Sequence, residues 1–145
     1  MSVGFVMFRL GERTFATPLD EVREIVRLQG LERLPGTTPP LAGVIVLRGA
    51  PLPVLDVRAA GAPDDSGDVL VIDTGADTVG VAVDEVSAVL HPDELPPGDA
   101  APKALPGYVV GVRSYGGRPV LLVDVRGLLD TTAAGWQESL PTAQT

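Results

Sequence analysis

The chain has 145 residues, 45% of them apolar and 4% aromatic, with no cysteine and a formal net charge of −8. That length suits one domain, able to bury roughly two thirds of its unfolded surface. The missing cysteines exclude a disulfide framework or a thiolate metal site, and the acidity argues against a nucleic-acid backbone or an anionic membrane surface as partner. With 17 Gly and 14 Pro, turns must be many and long helices few. The N-terminal MSVGFVMFRL lacks a charged region followed by a long apolar core and cleavage site, so no signal peptide is expected. No run approaches the roughly 18 apolar residues of a membrane span, which makes membrane insertion unexpected and a cytoplasmic location the default.

From the N-terminus, Val3 to Leu10 is apolar on both alternating faces, Gly11-Glu12-Arg13 offers a turn, and Thr14 to Pro18 reads as the return strand. Asp20 can then cap a short helical turn in which Val22, Ile25 and Val26 fall on one face at spacings of three and four. Leu31 to Pro40 is a Pro-rich connection. Leu41 to Arg58, LAGVIVLRGAPLPVLDVR, holds two apolar runs around Arg48-Gly49 and predicts a hairpin with an arginine at its tip. Ala59 to Gly67 has linker composition.

The pattern then repeats. Val69 to Asp73, a turn at Gly75-Ala76-Asp77 and Thr78 to Val83 form another hairpin, and Asp84-Glu85-Val86 matches Asp20-Glu21-Val22 at an offset of 64. His91 to Pro106 is a longer Pro-rich connection, expected as an extended surface loop. Gly111 to Arg126, GVRSYGGRPVLLVDVR, repeats the second hairpin at an offset of 68. Gly43 matches Gly111, Pro51 matches Pro119, and Asp56-Val57-Arg58 matches Asp124-Val125-Arg126. The reading is a single all-β domain built by internal duplication. Lobe 1 spans about 3–58, lobe 2 about 68–129, and a tail 130–145 leaves room for a short C-terminal helix around Trp136, either frayed or covering a barrel edge. Each half's pair of hairpins is expected to form one small barrel, and the barrels to share an apolar seam. Val44, Val54, Leu55, Val81, Val83, Leu121 and Val123 are the expected core.

The duplication gives an internal control for the turn. The second copy has Gly116-Gly117 where the first has Arg48-Gly49, and a glycine pair closes a hairpin without help. Arg48 is therefore not needed for the turn. It is either a solvated tip residue or a recognition residue.

Candidate chemistry is sparse. His91 is the sole histidine, with no second imidazole to complete a metal site. Asp64-Asp65 and Asp93-Glu94 read as solvated loop charge, since acid–base catalysis needs carboxylates set apart in a pocket. Ser66, Ser87 and Ser114 have no base to activate them, and no Gly-rich phosphate loop precedes a helix. Asp56 and Asp124 recur before Val and Arg, which suggests a turn or cap duty. No catalytic residue, metal ligand or cofactor is expected, and an enzyme is the least favoured class.

The order EVREIV, LPGTTPP, GVIVLRGAPLPVLDVR, GVAVDEVSAVL, YVVGV, PVLLVDVRGLL resembles the CheW-like domain of bacterial chemotaxis coupling proteins, from about Phe5 to Leu129. The resemblance implies two intertwined five-stranded SH3-like β-barrels. It also implies an adaptor that couples a CheA-type histidine kinase, through that kinase's own CheW-like regulatory domain, to the cytoplasmic tip of methyl-accepting chemoreceptors. By position, Arg48 and Gly49 match the arginine and glycine of the family's LRG signature and Val22 the valine of its VxEI segment, all receptor-facing in the family. For Val22 core packing is the competing reading. Two departures stand out: Val46 replaces the usual asparagine before LRG, and the 31–40 connection is unusually rich in proline. The alternative function is a small-ligand-sensing or regulatory β-barrel of another signalling pathway, which would need a closed pocket with convergent polar groups.

Overall fold

The computed structural model describes residues 3–75, 77–98, 101, 103–125 and 127. Arg126, Leu129 and the tail 130–145 with Trp136, where a C-terminal helix was expected, lie outside the described residues.

Eleven strands are formed among the described residues: β1 (Phe5–Leu10), β2 (Arg13–Pro18), β3 (Glu24–Arg27), β4 (Glu32–Arg33), β5 (Leu41–Leu47), β6 (Ala50–Asp56), β7 (Asp68–Asp73), β8 (Thr78–Val83), β9 (Glu85–Leu90), β10 (Val109–Tyr115) and β11 (Arg118–Val123). They make two sheets, one of five strands in the order β10-β11-β2-β1-β9 and one of six in the order β3-β7-β8-β6-β5-β4. The architecture is all-β, and each sheet curls as an SH3-like barrel.

All four expected hairpins are present, but the two from one half do not close on each other, which corrects that part of the sequence reading. β2 pairs in parallel with β11, where Ala16 faces Leu122, and β6 pairs in parallel with β8, where Val54 faces Gly80. These two pairings are equivalent under the 64- and 68-residue offsets. The barrels are therefore intertwined, each taking strands from both halves. The physical reason lies in strands that are apolar on both faces. β1 buries Val6 and Phe8 on one side and Met7 on the other, so it needs a core on each side, and two hairpins alone supply one.

Three apolar clusters follow. Ile45, Leu52, Val54, Val69 and Val71 fill the six-stranded barrel, and Met7, Ala16, Leu90, Leu95 and Val120 fill the five-stranded one. Between them a seam joins Val6, Phe8 and Val123 from one sheet to Leu55, Leu70, Val81 and Val83 from the other. Phe8 and Phe15 stack here, with ring centroids 5.7 Å apart. Of the expected core, Val54, Leu55, Val81, Val83 and Val123 are buried. Val44 and Leu121 are half-buried, because Val44 sits opposite Glu32 where the short strand β4 crosses, and Leu121 only flanks the seam. Gly43 makes that crossing feasible: a Cβ there would lie 2.0 Å from the Glu32 carbonyl oxygen.

The expected helical turn is a single 3₁₀ turn, Leu19–Glu21, with Asp20 inside it rather than capping it. Ile25 and Val26 lie in strand β3, and the matching segment after Asp84 is strand β9. Spacings of three and four in so short a stretch did not outweigh the unpaired edge of β7, which β3 covers from Asp68 to Val71.

The linker is more fixed than its composition suggests. Arg58, whose side chain is 1% exposed, donates to both carboxylate oxygens of Asp56 at 2.9 and 3.0 Å, and to the carbonyls of Pro63 and Ser66 at 2.8 and 2.7 Å. Asp56 also accepts from the Arg58 backbone N–H. From outside, Arg33 of β4 holds Asp64 through two hydrogen bonds, which keep the Asp64 carboxyl below its ordinary range while it stays a part-exposed loop charge. In the second copy, Asp124 accepts from the Gly127 N–H at 3.1 Å. The repeated aspartates do serve turns.

One buried group stands out. Thr17 of β2 is fully buried and its hydroxyl has no hydrogen-bond partner among the described residues. Thr17→Val removes that unsatisfied group at nearly constant volume, so unfolding free energy should hold or rise by about 1 kcal/mol. Chemical denaturation checks this, and a loss of stability would show that the hydroxyl is engaged after all.

Candidate interaction site

The β5–β6 turn is built from two left-handed residues, Arg48 at φ 48° and Gly49 at φ 84°. Its copy has Gly116 at φ 59° and Gly117 at φ 80°. Both are two-residue hairpin turns of the type that needs positive φ at each central position. Arg48 thus occupies a conformation its copy gives to glycine, and among the described residues no other non-glycine residue has positive φ. Gly49 is exposed, with open space where a Cβ would go.

The guanidinium of Arg48 is not loose. It donates through Nη1 to Glu24 Oε1 at 2.9 Å and through Nη2 to Oε2 of the same carboxylate. This two-pronged pair ties the hairpin tip to β3, at the far edge of the same sheet. The hydrogen bonds from Arg48 hold the Glu24 carboxyl below its usual range, and Glu24 in turn raises the Arg48 guanidinium. The Arg48 side chain remains 66% exposed. Water screens such a pair, so its main effect is to fix where the cation points.

Beneath the pair runs an open groove of about 200 Å³, with Leu47, Pro51, Leu52 and Val71 as its apolar part and Arg23, Glu24, Arg48 and Thr78 as its polar part. It exists because the parallel ladder between β6 and β8 ends at Val54 and Gly80, beyond which the hairpin tip diverges from β8. Arg23 pairs with Asp73 at 3.4 Å, and Thr78 donates to the same carboxylate at 2.7 Å.

Of the three sequence-predicted site residues, Arg48 and Gly49 sit together on the rim. Val22 is 9% exposed and packs into the seam. It precedes Glu24 by two positions but points inward. Glu24, the glutamate of the VxEI segment, is not among the residues the sequence reading names; its partner Arg48 lies 24 positions away, so no local signal points to the pair. His91 lies exposed at the start of a second 3₁₀ turn, Pro92–Glu94, its N–H bonded to Glu94 at 2.9 Å. Among the described residues no group of three histidines or carboxylates could hold a metal ion, and no helix is long and apolar enough to cross a membrane.

Residues 4–133 match the family model of the CheW-like domain. The chain belongs to the CheW-like domain family. It is 30% identical over 135 residues to the chemotaxis protein CheW of Klebsiella aerogenes, covering 88% of this chain and 81% of that one. It is 31% identical over 128 residues to the chemotaxis protein CheW of Rhizobium meliloti, covering 83% of each. It is also 32% identical over 105 residues to protein PilI of Pseudomonas aeruginosa, covering 65% of this chain and 59% of that one. Among solved structures, the scaffolding protein TtCheW of Thermoanaerobacter tengcongensis superposes with a TM-score of 0.69 over 86% of both chains at 20% identity, a likeness of fold. The CheW-like fold accounts for the intertwined barrels and places the LRG signature on the rim just described.

Proposed function

We propose that this chain is a non-catalytic adaptor of the cytoplasm, coupling a CheA-type histidine kinase to the cytoplasmic tip of methyl-accepting chemoreceptors. The observation that carries the reading is the oriented cation of Arg48 above an apolar groove, in a chain of the CheW-like family. A receptor tip is a helical hairpin, so one helix face can lie along Leu47 and Pro51 while a carboxylate on it meets Arg48. Gly49 leaves that approach open. Val22 contributes from below, as the seam residue that seats the start of β3 and therefore Glu24. No cofactor or nucleic acid enters this scheme.

The kinase docks by packing of its regulatory CheW-like domain against one of the barrels, away from the Arg48 rim. Titration calorimetry with that isolated domain should give roughly micromolar affinity, as suits a transient contact of modest area. Receptor-bearing membranes, kinase and this chain together should raise kinase autophosphorylation above the level of any two components. No heat with the kinase domain and no dependence of autophosphorylation on this chain would overturn the adaptor reading.

A further inference from the structure

A second groove, of about 320 Å³, opens on the other sheet between β2 and the tip of the β10–β11 hairpin, and Arg13, Thr14, Arg118, Pro119 and Leu121 line it together with Glu12. It has the same origin as the first. The parallel ladder of β2 with β11 pairs only Phe15 with Leu121 and Ala16 with Leu122, and the strands diverge toward Arg13 and Arg118. Two lining residues are repeat equivalents across the grooves: Thr14 of Thr78 and Pro119 of Pro51. The charges are not equivalent. The copies of Arg48 and Glu24 are Gly116 and Ala88, while Arg118 is the repeat equivalent of Ala50 in the first groove and Arg13 that of Asp77, which lies outside it.

Those two arginines differ from the rest. Every other arginine among the described residues hydrogen-bonds or ion-pairs with a carboxylate or a carbonyl of the chain. Arg13 and Arg118 are exposed and have no such partner among the described residues. Glu12 lines the same groove, and continuing the β2–β11 register sets it beside Arg118 and sets Pro119 beside Arg13, so the groove carries two cations and one carboxylate. On a chain of net charge −8 this excess of one positive charge is a local basic exception.

We propose that this groove docks an acidic, extended segment of a partner protein, one that alternates carboxylates with apolar side chains. Residues two apart on an extended chain present the same face at about 7 Å, which lets two carboxylates meet the two guanidinium groups. Apolar side chains from the segment then lie over Pro119 and Leu121. The groove's volume of about 320 Å³ is partly open to solvent rather than closed around a small anion, which suits a peptide segment.

The test is fluorescence anisotropy with a labelled peptide alternating glutamate and leucine, and with its glutamine-for-glutamate counterpart, on the full chain at low salt. The glutamate peptide should bind at least about tenfold more tightly than the glutamine peptide. Arg118→Ala, which copies Ala50, should cost about tenfold, the Arg13→Ser/Arg118→Ala pair more, and Arg48→Gly nothing. Both positions are exposed, so thermal midpoints should hold. If one fell, Arg13→Gln and Arg118→Gln keep the apolar stems and serve instead. Equal binding of the two peptides, wild-type affinity in the double variant, or no binding at millimolar peptide would each overturn the proposal. So would a concentration-dependent mass that the double variant abolishes, which would assign the groove to a second copy of the chain.

Discussion

Arg58→Ala is expected to lower the thermal midpoint by roughly 10 to 20 °C, the equivalent of about 3 to 5 kcal/mol for a domain of this size. The side chain is 1% exposed and serves three acceptors at once: Asp56, the Pro63 carbonyl and the Ser66 carbonyl. Its removal leaves the Asp56 carboxylate, 16% exposed, without a counter-charge and two linker carbonyls without donors. Arg58→Met keeps much of the volume and should be nearly as harmful, because the loss lies in charge and hydrogen bonding rather than in packing. Asp56→Ala/Arg58→Met should be less damaging than the sum of its single changes, since neither partner is then stranded. Calorimetry on the four proteins decides it. A loss below about 1 kcal/mol for Arg58→Met would show that solvent reaches the site and that the linker is not held from within.

Arg48→Gly is expected to weaken binding to a receptor-tip fragment by roughly ten- to a hundredfold and to leave folding intact. The substitution reproduces the second hairpin's turn, where Gly116 takes the same left-handed conformation. It removes a strained backbone position and an exposed ion pair together, two effects of opposite sign, so the thermal midpoint should move by only a few degrees. Glu24→Gln separates orientation from charge. It keeps Arg48 but weakens its anchor, and should reduce receptor affinity less than Arg48→Gly does. Affinity for the kinase regulatory domain should be unchanged in both. An unaltered receptor affinity in Arg48→Gly would return Arg48 to the solvated surface, and a large fall in midpoint would make it a structural residue.

The four hairpins, the duplication and the apolar seam could be read from the sequence because each rests on local signals: period-two apolar runs, turn residues and a fixed offset. Strand partners could not. Alternation tells which face of β2 is buried, and says nothing about whether β6 or β11 lies beside it. Strands β3 and β9 were missed because Val22, Ile25 and Val26 fit a helical turn as well as a strand, whereas Val86, Ala88 and Leu90 alternate and could have corrected the reading. The same gap hid the Arg48–Glu24 pair, which joins a turn to a distant sheet edge. The Arg58 clamp was closer to reach. Asp56 and Arg58 are two apart, so on an extended chain both side chains leave from the same face, and the recurrence of that spacing in Asp124-Val125-Arg126 was already in view.

The exchange of strands between the halves also bears on synthesis. Phe15 and Ala16 find their neighbours in β11, roughly a hundred residues later in the chain. At 5 to 20 residues per second, the first hairpin leaves the ribosome about 5 to 20 seconds before its lateral partner exists. During that interval β2 offers a bare edge to any passing strand, with little beyond the charges of Arg9 and Arg13 around its turn to discourage a wrong pairing. A nascent chain stalled before β10 is therefore the state most exposed to aggregation, and chaperone capture should concentrate there.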